Sequence, residues 1–196
     1  MTFTEGTTSH LEKIFADLLE AQKESSKNHP SIHQWNPKKT GDMDLLIDRD
    51  GRWIHEGREI KRSKIVKLFS TILKLEQGNY FLVSPVEKWQ IRVAIAPFFI
   101  IDATRELRDA RQAITLKTST DDIVVVSNEN PLLVDKTVVE GESTLLVKVR
   151  DNLMGFFSRS IYYQLIDWGA LITQPDGQEI LILESMGEAF SLGQIT

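Results

Sequence analysis

The same order of residue types occurs twice in this 196-residue chain, and it restricts the possible fold more than any other feature. The first copy begins at Leu45-Leu46 and turns at Arg49-Asp50-Gly51, and the second begins at Leu145-Leu146 and turns at Arg150-Asp151-Asn152. In each copy a short strand, a basic or polar helix start and an apolar helix follow. We interpret this as an internal duplication, which predicts two related halves that pack together and leave a groove.

Alternating residues indicate strands in the first half. Met43, Leu45 and Ile47 would share one face of a strand, and Asp48–Gly51 would form its turn because Gly tolerates the positive φ of a tight hairpin. Apolar residues at helical spacing predict a helix from about Ser63 to Leu75. Further strands are predicted at residues 80–84 and 89–96.

Short strands separated by polar turns are typical of a β-meander, and they dominate the second half. The highly charged segment 104–112 favours a short helix or a boundary. Ser158-Arg159-Ser160 would cap a helix running from Ile161 to about Leu171. The remaining strands are predicted at residues 114–118, 123–127, 132–134, 145–149, 153–157, 179–183 and 189–192.

The predicted fold class is α+β, with two related halves built from antiparallel β-hairpins and single helices. Ser9 to about Ala21 reads as an amphipathic helix that begins with a Ser-x-x-Glu cap, and a polar linker follows. The predicted organisation is a helix and linker at residues 1–40, a first half at 41–103 and a second half at 104–196.

Composition excludes several classes of function. The absence of cysteine removes disulfides, thiolate nucleophiles, cysteine-based zinc sites and iron–sulfur clusters. A net charge of −5 argues against a DNA- or RNA-binding surface. No apolar run approaches the roughly 20 residues of a membrane span, and no secretory signal is visible, so we expect a cytoplasmic protein without membrane association.

The acidic residues around the first turn do not predict a metal site. Asp42, Asp44, Asp48 and Asp50 are close in sequence, but with Gly51 as its glycine a calcium loop would need acids where Leu46 and Gly57 stand. Turn formation explains the last two aspartates.

Enzyme motifs are also missing. No nucleophile elbow, Walker loop or dinucleotide-binding glycine pattern occurs, so no cofactor is expected. The least favoured reading is a hydrolase with His55 and Asp42 or Asp44 as acid–base groups, which requires them to converge in one pocket.

A basic cluster lies at the start of the helix predicted from about Ser63: Arg58, Lys61, Arg62, Lys64 and Lys67. A helix N-terminus combined with positive side chains favours a phosphate or carboxylate ligand. The alternative is a solvated polar face paired with Glu56 and Glu59, and short charge clusters are commonly surface of this kind. Arg159 occupies the equivalent place in the second half.

Several separated motifs resemble a bacterial family known as domain of unknown function 1285. They are Gly41–Gly57 with its Asp-Arg-Asp-Gly-Arg-Trp-Ile-His-Glu-Gly run, Leu82–Lys88, Ala96–Phe98 and Ser158–Leu165. The resemblance extends from about Trp35 to the C-terminus. It implies a duplicated α+β fold with a C-terminal half like pleckstrin-homology domains, and a nucleotide-like ligand between the halves in signalling. It implies no established activity.

The leading functional prediction is therefore a non-enzymatic module that binds a small anionic, nucleotide-like ligand at the interface of the halves. The predicted contacts are Trp35 and Trp53 as stacking surfaces with the cations Arg58, Arg62, Lys88 and Arg159. An alternative is a protein-interaction or adaptor domain that binds a protein partner through a sheet edge or the N-terminal helix.

Overall fold

The computed structural model describes residues 32–139 and 142–194. The predicted helix from Ser9 to Ala21 and most of the polar linker lie outside the described residues. The chain forms two compact units: the described residues up to Leu46 with Arg52–Arg92, and Ile47–Gly51 with the chain from Val93 onward. The division into two units agrees with the two predicted halves.

The first unit contains a six-stranded sheet and one α-helix, preceded by a 3₁₀ turn at Ile32–Gln34. In chain order its elements are β1 (Lys39–Ile47), β2 (Trp53–His55), β3 (Arg58–Glu59), α1 (Ser63–Thr71), β4 (Leu73–Glu76), β5 (Asn79–Val83) and β6 (Glu87–Val93). The spatial order is β3-β2-β1-β6-β5-β4, so the last strand returns beside the first.

Strand β1 follows the alternation read from the sequence, because Met43, Leu45 and Ile47 are buried. Helix α1 ends at Thr71, four residues before the predicted end. The apolar period changes there from helical spacing to two, and Leu73–Glu76 pairs with Asn79–Val83 as an antiparallel hairpin. Hairpin pairing therefore replaces the last helical turn.

The second unit contains a six-stranded sheet, a three-stranded sheet and one helix. Its elements are β7 (Phe98–Arg108), β8 (Arg111–Thr118), β9 (Ile123–Val125), β10 (Leu132–Val139), β11 (Glu142–Arg150), β12 (Leu153–Phe157), α2 (Arg159–Trp168), β13 (Ala170–Thr173), β14 (Glu179–Ser185) and β15 (Glu188–Gln194). The sheet orders are β10-β11-β12-β7-β8-β9 and β13-β14-β15. Strands β12 and β7 pair in parallel, and the other pairs of this unit are antiparallel.

Helix α2 has the cap that the sequence predicts. The Ser158 hydroxyl accepts a hydrogen bond from the Ile161 N–H and so satisfies one of the unpaired donors of the first turn. Ile161 and Leu165 form the buried stripe. The helix ends at Trp168, before the predicted Leu171, because residues 170–173 pair with β14 instead.

The predicted strand–turn–strand–helix order is present in both units. In the first unit the order is β1, β2, the two-residue strand β3 and α1, and in the second unit it is β11, β12 and α2. Three strands follow each helix. The sheets differ, however: β6 joins the same sheet as β1, whereas β15 belongs to a separate three-stranded sheet.

The predicted α+β class is wrong, because strands make up 57% of the described chain and the sheets are curled. The described residues contain only α1 and α2 as α-helices. Segment 104–112, read as a short helix or boundary, belongs to the β7–β8 hairpin, so the predicted domain boundary after residue 103 falls inside β7. The described elements give no support to a pleckstrin-homology-like C-terminal half.

Each unit has its own buried core. In the first unit it includes Leu45, Trp53, Phe69, Ile72 and Leu82. In the second it includes Phe98, Ile100, Ile114, Leu116 and Leu153. Among the described residues, no helix is long and apolar enough to cross a membrane.

Candidate functional site

The start of α1 presents a run of exposed cations. Lys61, Arg62 and Lys64 are exposed, and Arg58 is exposed on the neighbouring short strand β3. In the part of the chain that the structure describes, none of the four forms an ion pair or a side-chain hydrogen bond. The predicted pairing with Glu56 and Glu59 is therefore absent from the described residues.

The backbone at this helix end also has unused donors. Ile65 and Val66 donate their N–H groups to the Arg62 carbonyl at 2.9 and 3.3 Å. Arg62 is the N-cap and no side chain caps the helix, and the first turn contains no acidic residue. Within the described residues, the Ser63 and Lys64 N–H groups consequently have no acceptor.

Arg58 lies on a tight hairpin, four residues before the N-cap of α1. Strands β2 and β3 pair so that His55 stands opposite Arg58, and the turn residues Glu56 and Gly57 both have positive φ, 48° and 73°. Glycine at the second turn position is what such a hairpin turn requires. The Ile60 N–H then donates to the Trp53 carbonyl at 2.8 Å and extends the hairpin toward α1.

Lys88, one of the predicted ligand contacts, forms an ion pair within the first unit. Its Nζ lies 2.5 Å from Glu76 Oε2 and 4.4 Å from the centre of the Phe81 ring. Lys74 binds the other oxygen of Glu76 at 2.8 Å. The hydrogen bonds of Lys74 and Lys88 lower the pKa of Glu76 below its usual value. Lys88 therefore binds a carboxylate of its own unit and helps to hold β4, β5 and β6 together.

The two tryptophans predicted as stacking surfaces differ in exposure. Trp53 is only 2% exposed and packs against Phe69, with ring centres 6.4 Å apart. It belongs to the core of the first unit and presents no open ring face. Trp35 follows the 3₁₀ turn and is half-buried.

Arg159 is exposed at the first position of α2, but this helix start differs from that of α1. Ser158 already caps it, and Ser160 lies 3.2 Å from the Ser158 hydroxyl. Of the predicted contacts, Arg58 and Arg62 thus lie in the exposed run that also contains Lys61 and Lys64.

The predicted acid–base group does not assemble. His55 Nδ1 donates to the backbone carbonyl of Asp44 at 2.9 Å rather than to its carboxylate, which pairs with Arg92 at 2.6 Å. His55 Nε2 is buried and has no hydrogen-bond partner in the described part of the chain. Asp42 is exposed. No proton relay links these groups, and no cluster of potential metal ligands occurs among the described residues.

The second unit contains a buried polar network that the sequence alone does not predict. Arg150 Nη1 lies 2.6 Å from Asp122 Oδ1, and both side chains are largely buried. The hydroxyls of Thr118 and Thr120 donate to Asp122 Oδ2 at 3.2 and 2.8 Å, and the Arg150 guanidinium covers the Phe98 ring. Burial lowers the pKa of Arg150, and the Asp122 carboxylate opposes this shift. With its hydrogen bonds satisfied, this network holds the β8–β9 loop in place.

Two family models cover most of the chain. The N-terminal domain of the domain of unknown function DUF1285 matches residues 30–96, and the C-terminal domain of the protein of unknown function DUF1285 matches residues 97–192. Among curated proteins, none matches this chain.

Two solved structures are similar. A DUF1285 family protein from Silicibacter pomeroyi DSS-3 is 36% identical, with a TM-score of 0.77 over 91% of this chain and 95% of its own. A DUF1285 family protein from Shewanella baltica OS155 has a TM-score of 0.50 and 23% identity over 64% of this chain and 91% of its own, which shows similarity of fold alone. The chain belongs to the DUF1285 family.

Proposed function

We propose that this protein is a non-enzymatic binding module for a small anionic, nucleotide-like ligand, held at the start of α1. The observation that carries the proposal is the group of exposed cations Arg58, Lys61, Arg62 and Lys64, which have no ion-pair partner among the described residues.

The charge of this helix end supports an external anion. The N-terminus of a helix carries a partial positive charge, so cations there are unfavourable by a few tenths of a kcal/mol to about 1 kcal/mol each. Here neither a carboxylate nor a capping side chain offsets that charge. An anion would relieve the repulsion and accept hydrogen bonds from the Ser63 and Lys64 N–H groups.

Arginine at two of the four positions favours a phosphate or carboxylate over a halide ion. A guanidinium donates two parallel hydrogen bonds to such a group, and both Arg58 on β3 and Arg62 at the N-cap are exposed. The predicted location of the ligand between the halves and the predicted link to signalling stay predictions.

A thermal-shift titration with inorganic phosphate, AMP and ATP tests the proposal. Wild-type protein should gain thermal stability with a saturable dependence on at least one of these probes, since a ligand that binds only the folded state stabilises it. The double variant Arg58→Gln/Arg62→Gln should lose that response.

The matched control is Lys38→Gln/Lys136→Gln, which removes the same charge from two exposed positions elsewhere. It should respond as wild-type does. Absence of any stabilisation of the wild-type protein at large excess, or an equal response of the two double variants, would contradict the proposal.

A further inference from the structure

Strand β13 is an edge strand, and within residues 32–139 and 142–194 no element covers either of its faces. Its residues Ala170, Leu171, Ile172 and Thr173 are all exposed, with Leu171 55% and Ile172 47% exposed. It pairs with β14 on one side and stands at the end of the three-stranded sheet. Edge strands of monomers are usually protected by charges, proline or a covering element. Residues 169–174 contain neither a charge nor a proline.

The outward hydrogen-bonding groups of β13 can be identified from its register. The Gln174 N–H donates to the Gln178 carbonyl at 2.8 Å, so the backbone hydrogen-bonding groups of residue 174 point toward the strand that follows the turn, β14. Hydrogen-bonded and non-hydrogen-bonded pairs alternate along an antiparallel ladder. Ile172, opposite Ile180, therefore also faces β14, whereas the N–H and C=O groups of Leu171 and Thr173 face the open edge.

We infer that β13 pairs antiparallel with β13 of a second copy of this chain about a two-fold axis at Ile172. With Leu171 of one copy opposite Thr173 of the other, both outward-facing residues of each strand are used and four interchain hydrogen bonds form. A register centred on Leu171 would place Thr173 opposite Gly169, whose N–H already donates to Leu165 and Ile166 of α2. A register centred on Thr173 would place Leu171 opposite Pro175, which has no N–H.

The side chains of this register suit a second copy. Ile172 meets Ile172 of the partner subunit in a non-hydrogen-bonded pair, where side chains are closest. Ile180, half-buried, is the cross-strand neighbour of Ile172 within each copy, so apolar residues meet across the axis. No like charges face each other along residues 169–174, a condition that strand self-pairing requires.

The contact is short, so the dimer should be concentration-dependent. A strand of this length buries less than the roughly 1,200 Å² typical of a stable interface. Its existence is independent of anion binding at α1, and either proposal can fail alone.

A cysteine trap tests the register, because the chain has no cysteine of its own. In the inferred dimer the Cα atoms of residue 172 are about 4.5 Å apart, within the range that a disulfide spans. Under mild oxidation the Ile172→Cys variant should form a disulfide-linked dimer. The matched control Leu171→Cys changes a neighbour that is slightly more exposed. In the inferred register Leu171 stands opposite Thr173 of the partner subunit, so the two copies of residue 171 are two positions apart and should cross-link much less.

Sedimentation velocity completes the test. Wild-type protein should show a mass that rises with concentration, and Ile172→Lys, which puts two like charges opposite each other, should remain monomeric with unchanged circular dichroism. A monomeric wild-type protein at every concentration, or equal cross-linking at positions 171 and 172, would overturn the inference.

Discussion

Gly51 lies directly against the ring of Phe99, so closely that a Cβ on residue 51 would collide with the Cβ of Phe99 and lie 2.6 Å from its Cγ. The same residue has a φ of 74°, which side chains other than glycine rarely adopt. The turn after β1 therefore needs glycine for two independent reasons, backbone conformation and space.

Gly51→Ala should lower the free energy of unfolding by about 3 kcal/mol, because left-handed strain of about 1 kcal/mol adds to overpacking of roughly 1–3 kcal/mol. Gly57→Ala is the matched control, with φ of 73° and open space around the missing Cβ. Gly57→Ala should lower the free energy of unfolding only by the cost of the left-handed backbone conformation. Equal losses in urea unfolding of the two variants would mean that the contact with Phe99 is unimportant.

The β7–β8 hairpin turns at Asp109 and Ala110, which have φ of 51° and 61°. Three other hairpin turns, Glu56-Gly57, Gln77-Gly78 and Met186-Gly187, place glycine at the equivalent second position. Ala110→Gly should therefore raise stability by about 0.5 kcal/mol, the left-handed strain being partly offset by a freer unfolded chain.

Gly78→Ala provides the reverse experiment, since nothing lies within 4 Å of its missing Cβ. It should lower the midpoint of urea unfolding. The account of these turns is contradicted if Ala110→Gly lowers the midpoint as well.

The Arg150–Asp122 pair predicts a large cost for removing one partner. Asp122→Ala would leave a largely buried guanidinium without its counter-charge and should lower the free energy of unfolding by about 3 kcal/mol. Adding Arg150→Met should restore part of that loss, since no charge is then left unpaired.

The comparison is Asp44→Ala, which breaks the Arg92 pair on an exposed surface and should cost less than about 1 kcal/mol. Urea unfolding curves at equal ionic strength give both values. Similar losses in the two single variants would show that burial of the Arg150 pair has no special weight.

The Glu76 ion pairs predict a pH-dependent term. Because the pKa of Glu76 is lowered in the folded state, its pairs with Lys74 and Lys88 contribute stability above the unfolded-state pKa near 4.5. That contribution is lost as the pH falls through the folded-state pKa. The stability difference between wild-type and Glu76→Gln should be largest near neutral pH and vanish in acid, and a difference that does not change with pH would be inconsistent with this origin.

Local signals in the sequence predicted several elements well. The alternation of β1 and the Ser158 cap of α2 depend on a few adjacent residues, and the structure shows both. The sequence does not identify segment 104–112 as strand, because residues 104–111 are exposed along both arms of the hairpin and lack the alternation that marks a half-buried strand.

The candidate site was only partly predictable, because some of its features are local in sequence and others depend on tertiary packing. The cations Arg58, Lys61, Arg62 and Lys64 lie close together in the sequence and can be found there. The burial of Trp53 depends on its packing against Phe69, and the ion pair of Lys88 depends on the position of Glu76. The partners Asp122 and Arg150 are 28 residues apart, and only the tertiary fold joins them.

The most direct test of the proposed anion site is a ¹H–¹⁵N NMR titration of the protein with AMP. The account predicts saturable shifts centred on the amides of Ser63 and Lys64, and their loss in Arg58→Gln/Arg62→Gln. Shifts centred elsewhere, or shifts at these two amides that persist in the double variant, would contradict it.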